Sequence, residues 1–572
     1  MAQTTEPGAR RPFADTVFRG GAVFLGSGEP RHGHAVAVSD GRIVAVVPEH
    51  EASALIGPAT TIIDLDGALL SPGFQDAHVH PVGGGVELLQ CELSEATDAA
   101  DTLARIRAYA DAHPGEAWIL GGGWSMDHFA GGAPTRRLLD EAVPDRPVLL
   151  ASRDHHSSWA NTAAIQAAGL DASTPDLVDG RIEREPSGFP AGTFHEGASA
   201  LFDAARPVLD ADLAYAGLLR AQDALVALGI TGWQDALVGG DLSGVDPLDG
   251  YRRARAEGTL RVHVVASQWW HRDRGAEQID DFIARRAEFT ADPDASEPTR
   301  LDFGTVKIMV DGIAENHTAA MIGSYRDAHG HDTGEHGLSF IDAAALRDHV
   351  TALDAAGFAV HFHALGDRAV REALDAVEAA RTANGPDGPR HHLAHLQVIA
   401  PEDVGRFAAL DATANLQALW ACHEPQLDEL TLPFLQEGAE ARHYPFGELH
   451  RAGARLAAGS DWPVSSADPL AAIHVAVNRV APGSVAPPLG GVHQRLDLAT
   501  AFAAYTSGSA YVNRRDGDTG RIALGYRADL VTISPDPFGL DPTEIHRARV
   551  SSTWIAGERV FAATAGALAG PQ

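Results

Sequence analysis

Two histidines, His78 and His80, close the segment Ser71-Pro-Gly-Phe-Gln-Asp-Ala-His-Val-His80. The stretch before it, Thr61 to Leu70, is apolar and β-prone, and at a strand end a spacing of two aims both side chains the same way. Two imidazoles aimed alike are the kind of pair that holds a divalent metal. Taken alone they read equally well as two packed histidines on a strand. What else the chain brings to the same place decides between the two readings.

Further candidates follow in order. Lys307 sits inside the otherwise apolar Thr305-Val-Lys-Ile-Met-Val310, and Phe358-Ala-Val-His-Phe362 runs into His363 and, beyond it, Asp367. His395 ends His392-Leu-Ala-His395, and Asp461 follows Arg455-Leu-Ala-Ala-Gly459. Each has an ordinary alternative: a hydrogen-bonded core histidine for His363 or His395, a snorkelling side chain for Lys307, a turn cap for Asp461. Unrelated polar groups are not expected to gather at five strand ends, so the set reads jointly as a metal centre.

The elements that would position these residues alternate. Helical stretches rich in Ala, Leu and Arg are separated by short β-branched runs: Gly229–Trp233, Leu260–Val265, Thr305–Val310, Phe358–Phe362, His392–Leu396, Ala412–Leu416 and Arg455–Gly459. With the strand leading into His78 these make eight, and alternation of this kind implies parallel pairing through right-handed crossovers. The expected fold is an α/β (β/α)8 TIM-like barrel, whose functional groups collect at the C-terminal ends of strands. On regular strand geometry His361 shares a face with His363 one layer deeper, which makes it a packing or supporting residue. Asp311 and Asp367 lie just past strand ends, where they could orient ligand imidazoles.

Both chain ends read differently. From Thr16 to Leu70, and again over Gly520–Ile533 and Val550–Phe561, short apolar runs are broken by turns rich in Gly and Asp, with a hairpin signal at Ser39-Asp40-Gly41. Residues 1–70 with 519–572 are expected to form one β-sandwich bracketing a barrel over 71–518. The interval 83–209 is too long for a loop without structure of its own, and is expected to be an inserted subdomain overhanging the barrel mouth. By position Trp124, His155, His156 and Glu196 from the insertion, and Trp420 after the seventh strand, are candidate pocket residues. Phe129, Trp159 and Trp269-Trp270 add aromatics that suit an apolar or aromatic substrate group.

Composition removes several function classes. The 572 residues carry a net charge of −33, which repels nucleic acid and anionic membranes alike, so a small-molecule partner is expected. Cys91 and Cys422 are the only cysteines, too few for a disulfide framework. Met1 to Gly20 carries Arg10 and Arg11 without a following apolar stretch, and no segment approaches a membrane span. A cytoplasmic location is the expectation.

In their order, Gly73-Phe-Gln-Asp-Ala-His-Val-His80, Val306-Lys307, His363, His395 and Ser460-Asp461 resemble the metal-dependent amidohydrolase superfamily. Gly123-Trp124, Pro134–Asp140, Asp154-His-His156 to Asn161, Val310-Asp-Gly312, Gly366-Asp367 and Gly459-Ser-Asp-Trp-Pro463 resemble its Amidohydrolase 3 branch, the YtcJ-like and N-substituted formamide deformylase-like proteins. The resemblance implies that His78 and His80 bind one divalent metal and that His363 and His395 bind a second. Lys307 would bridge them as an N-carboxylated lysine, and Asp461 would complete the first. Zinc suits the donor set, and a lysine buried in an apolar strand loses basicity, leaving a neutral amine that can take up CO2.

Two zinc ions per chain flanking a water would generate a metal-bound hydroxide and polarise a carbonyl, with Asp461 as general acid and base. Hydrolysis of a non-peptide amide C–N bond follows, with N-substituted formamides or other N-acyl amines as the substrates the branch implies and a homodimer as the suggested assembly. Cyclic amide hydrolysis and heterocycle deamination are the alternatives within the superfamily. The deaminases use a glutamate shortly after the fifth-strand histidine, where this chain has Ala-Leu-Gly-Asp367, and they lack the fourth-strand lysine. A non-catalytic ligand-binding barrel is the alternative of another class.

Overall fold

The computed structural model describes residues 13–240, 246–290 and 301–564. Arg10, Arg11 and the outermost parts of the terminal β unit therefore lie outside the described residues. Eight strands pair in parallel in sequence order: β1 (Phe74–Val79), β2 (Ile230–Val238), β3 (His263–Trp269), β4 (Leu301–Met309), β5 (Ala359–Ala364), β6 (His392–His395), β7 (Thr413–Leu416) and β8 (Leu456–Ala458). Their residues are buried on both faces almost throughout, the signature of parallel strands covered by crossover helices. This is the expected (β/α)8 barrel. The helices start cleanly after their loops because an aspartate caps each of several of them. Asp210, Asp246, Asp342 and Asp468 accept backbone N–H groups at the N-termini of Ala211–Ala227, Pro247–Glu257, Ala343–Ala355 and Pro469–Asn478.

The barrel closes between its last and first strands, and the closure carries chemistry-bearing residues. Asp461 N–H donates to His78 O at 2.7 Å, His80 N–H to Trp462 O at 2.9 Å, and the Asp76 carboxylate accepts both His78 N–H and Ser460 N–H at 3.0 Å. The approach is so close that a Cβ at Gly459 would lie 2.5 Å from His78 N and 2.6 Å from His78 Cβ. Gly459→Ala is therefore expected to destabilise the protein by about 1–3 kcal/mol, read as a lowered midpoint in denaturant unfolding. The glycine run after His80 has a similar cause. It lies on the helix Pro81–Glu87, and a Cβ at Gly85 would meet Gly217 O at 1.9 Å.

Strand Leu69–Pro72 pairs antiparallel with Leu530–Ser534 and leads straight into β1. The two chain ends share a core in which Phe18, Val36 and Leu70 pack with Ile522, Leu530 and Trp554. Between Pro81 and Asp210 a six-stranded sheet runs in the order Gly180–Arg184, Pro190–Glu196, Ser157–Ala160, Val148–Ser152, Ile119–Trp124, Cys91–Glu92. Its own apolar cores are built on Trp124, Trp159, Leu139 and Leu150, and on Ile165, Phe194 and Phe202. Among the described residues no helix is long and apolar enough to cross a membrane.

Candidate metal centre

At the C-terminal mouth of the barrel the polar ends of β1, β4, β5, β6 and the segment after β8 converge. His78 Nε2 and His80 Nε2 lie 3.0 and 3.1 Å from Asp461 Oδ1, and His395 Nδ1 lies 3.8 Å from Asp461 Oδ2. The rings of His78 and His395 are 4.7 Å apart, and those of His363 and His395 4.4 Å apart. His78, His395 and Asp461 each offer a donor atom within 4.8 Å of the other two. Lys307, on β4, is level with His361 in the β-ladder, and Met309 is level with His363. Its amine reaches the same interior from one layer below His363.

Burial sets the protonation states. It pushes His78 down to about 3, with the Lys307 ammonium adding to the effect, and it holds His363 and His395 well below the usual imidazole range. Asp461 is driven upward by burial, but the surrounding imidazoles, His78 first, outweigh it and hold the carboxyl well below its usual range. Desolvation brings Lys307 down to about 7. Neutral imidazoles, an ionised carboxylate and an amine that loses its charge above about pH 7 are electron-pair donors.

That donor set fits a divalent cation on a further observation. Lys307 Nζ and both ring nitrogens of His395 are buried without a hydrogen-bond partner, beside an Asp461 carboxylate that two further imidazoles face. Polar atoms left so cost roughly 1–3 kcal/mol each, and metal ligation is a means of satisfying several at once. The backbone is held at left-handed φ at His395 (76°), Leu396 (53°), Asp461 (58°), His155 (62°) and Glu196 (51°), the sort of local strain that clusters where a site over-determines its residues.

Supporting groups surround the donors. Asp311 accepts N–H groups from Ala320, Leu365 and Gly366 and stands 3.5 Å from His363 Nδ1, where it braces that imidazole. Asp367 turns the other way: it accepts Ile322 N–H at 2.7 Å and pairs with Arg442 at 3.3 Å. His156 Nδ1 is 2.9 Å from Glu196, whose other oxygen accepts Thr318 Oγ1 at 2.6 Å, and the His156 ring lies 5.6 Å from that of His363. His155 pairs with Glu87 at 3.1 Å.

A cavity of about 580 Å³ opens over the centre, lined among others by His156, His363, His395, Trp420, Trp462 and Asp461. Trp420 lies parallel to His395 with ring centres 5.4 Å apart. Trp124 is elsewhere: fully buried in the insertion's core, it packs on Phe129 and Trp159 and donates Nε1–H to Leu150 O. Trp270 is likewise buried beside His349 and Phe282. The wall residues Arg153, Tyr444 and Trp462 and the seam residue Asp76 were not singled out from sequence. Asp76 alone had a signal, since it stands two positions before His78 on the same strand face.

The His156–Glu196 pair gives a stability prediction. Burial opposes charge on His156, but Glu196 outweighs it and raises the imidazole from 6.5 to about 9. A base whose pKa is raised on folding contributes stability that is complete below the unfolded value and lost as pH rises through the folded one. In metal-free protein this contribution is therefore expected to be present at about pH 6 and gone by about pH 10. Denaturant midpoints of wild type and Glu196→Gln should differ at the lower pH and converge at the higher.

A cluster of imidazole and carboxylate donors at the C-terminal mouth of a (β/α)8 barrel is the arrangement of a metal-dependent hydrolase. Comparison of sequences makes the class specific: the profile of the amidohydrolase family matches residues 61–561, and the chain belongs to that family, hydrolases acting on carbon–nitrogen bonds. YtcJ of Bacillus subtilis (strain 168) is 30% identical over 558 residues, covering 95% of this chain and 99% of that protein. An N-substituted formamide deformylase of Arthrobacter pascens is 26% identical over 541 residues, covering 91% and 94%. The crystal structure of a metal-dependent hydrolase from Pyrococcus horikoshii OT3 shares the fold, with a TM-score of 0.70 at 22% identity over 92% of this chain and 99% of that one.

Proposed function

We propose that the protein hydrolyses the C–N bond of an N-substituted formamide or another acyclic N-acyl amine, releasing the carboxylic acid and the amine. The observation that carries the reading is the set of buried donors lacking hydrogen-bond partners around Asp461, in a chain similar along most of its length to an N-substituted formamide deformylase. In this reading His78, His80 and Asp461 hold one divalent cation and His363 and His395 a second. Lys307, as a carbamate, would be a further ligand of these cations, and zinc is the favoured ion. Bound there, the cations supply Lewis acidity, making a water acidic and a carbonyl electrophilic.

The protein groups do the remaining work. Asp461, ionised and within about 3 Å of two imidazoles, takes the proton from the attacking water and returns it to the departing nitrogen, so that one residue serves as base and then as acid. His156, fixed through Nδ1 by Glu196, turns its remaining ring edge toward the cavity as an orienting contact for the acyl group. The faces of Trp420 and Trp462 in the cavity wall suit an apolar or aromatic N-substituent. Two cysteines that are free and buried and the strong negative charge accord with a cytoplasmic enzyme whose partner is a small molecule. A homodimer is the assembly we carry over from the family.

Deamination of a heterocycle is disfavoured by the position of Asp367. It engages Ile322 and Arg442, so it does not take the place after the fifth-strand histidine where the deaminases carry their glutamate. A panel of N-formyl, N-acetyl and cyclic amides, assayed for amine release on protein of known metal content, tests the reading. Turnover of acyclic N-formyl or N-acyl amines is expected; turnover restricted to cyclic imides, or ammonia from aminopurines, would replace it.

A further inference from the structure

We propose that His361 is a positioning residue for the metal centre, holding the ring and tautomer of His78 through a hydrogen-bonded relay inside the barrel. His78 has two working edges. Its Nε2 faces Asp461 at 3.0 Å, and its Nδ1 lies 2.7 Å from Nε2 of His361 on β5. On the far edge of that second ring, His361 Nδ1 lies 3.3 Å from Ser267 Oγ on β3. Relative exposures are 1% for His78 and 0% for both His361 and Ser267, so no solvent competes for these contacts.

A 2.7 Å approach of two ring nitrogens requires one proton between them. If His361 supplied it, the single proton of a neutral His78 would have to sit on Nε2, and that nitrogen could not bind a cation. If His78 supplies it from Nδ1, Nε2 keeps its lone pair, His361 Nε2 accepts, and the His361 proton sits on Nδ1 within reach of Ser267 Oγ. The Ser267 hydroxyl can serve His361 Nδ1 as acceptor or donor, so it fits both arrangements, but only the second leaves a metal-binding nitrogen on His78. Ligand histidines commonly hand their spare N–H to a carboxylate, a carbonyl or water; here another imidazole receives it and passes the polarity on across the barrel.

A neighbouring histidine serves as the control. The His392 ring packs on His361 with centres 4.2 Å apart at 40°, but it makes no hydrogen bond to His78, His361 or Ser267. If His361 merely filled space, removing either imidazole would be felt alike.

The inference rests on the proposed reading that His78 binds a cation through Nε2. Its test is zinc affinity of the purified full-length protein, measured by competition with a chromophoric chelator, so that the readout does not pass through turnover. His361→Phe, which fills the space without accepting a proton, is expected to weaken zinc binding about 10–100-fold, the usual scale for losing such a support. His361→Gln can place an amide oxygen near the position of Nε2 and is expected to stay within about threefold of wild type, as is His392→Phe. Unchanged affinity in His361→Phe, no rescue by His361→Gln, or an equal loss in His392→Phe would overturn the relay. Should His361→Phe fail to fold, His361→Gln decides alone: affinity within about threefold supports the relay and a tenfold loss overturns it. Absence of zinc binding by the wild type would instead defeat the metal reading on which the relay depends, a failure distinct from any of these.

Discussion

Asp461→Asn is expected to lower kcat by about 10²–10⁴-fold, the usual contribution of a placed acid or base, while the protein stays folded and retains metal. Asparagine is nearly isosteric with aspartate and tolerates left-handed backbone, so the φ of 58° at this position is no obstacle to the variant. The amide oxygen can still face His78 and His80, but it takes up no proton from water and delivers none to the leaving nitrogen. Metal content measured beside kcat separates the two duties. Activity within about threefold of wild type would remove Asp461 from proton transfer.

The second large effect is expected at Lys307. Its amine is buried at 3% relative exposure without a hydrogen-bond partner, and desolvation lowers it to about 7, so the neutral form that adds CO2 predominates above that pH. Reactivation of metal-free protein by zinc and bicarbonate is therefore expected to improve as pH rises from about 6 to about 8. Lys307→Met should lose the bicarbonate dependence, together with about one of two bound ions and most of the turnover. The same shift has a stability consequence. Between about 7 and the ordinary value of 10.5 the unfolded chain binds the proton and the folded chain does not, so metal-free wild type gains stability as pH rises through that window. The Met variant should lack the gain, which denaturant midpoints at both ends of the window would show.

The barrel was legible because parallel strands leave a strong mark: seven β-branched runs between helical stretches, each ending at a turn, with an eighth leading into His78. Structure lengthens Gly229–Trp233 to Ile230–Val238 and shifts Leu260–Val265 onward to His263–Trp269, because burial on both faces lets a strand continue through polar residues such as Gln234 and Ser267. The six candidates at strand ends could be named since strand periodicity fixes which side chains point inward. What periodicity cannot give is partner identity. That Asp76 clasps the seam, and that His361 reaches His78 across the interior, depends on distances between strands remote in sequence.

Aromatic residues were the least legible. Trp124 and Trp159 look like pocket material when counted by position, yet a subdomain of this size needs an apolar core of its own and uses them there. Trp462 reaches the cavity from the segment that carries Asp461, and Tyr444 from a long irregular connection after β7. Neither has a periodicity to mark it. Asp367 shows the reverse difficulty: its place four residues after His363 invites a role at the centre, while the backbone turn into helix Asp367–Asn384 carries its carboxylate away to Ile322 and Arg442.

Whether His78, His80, Lys307, His363, His395 and Asp461 hold hydrolytic metal for an acyclic amide is decided by amine release from an N-substituted formamide, measured on protein of quantified zinc content. Release is expected to follow zinc content up to about two ions per chain, to stop on chelation and to return with added zinc. Undiminished release from the metal-free protein, or zinc-loaded protein that releases amine from no formamide or acylamine, would contradict it.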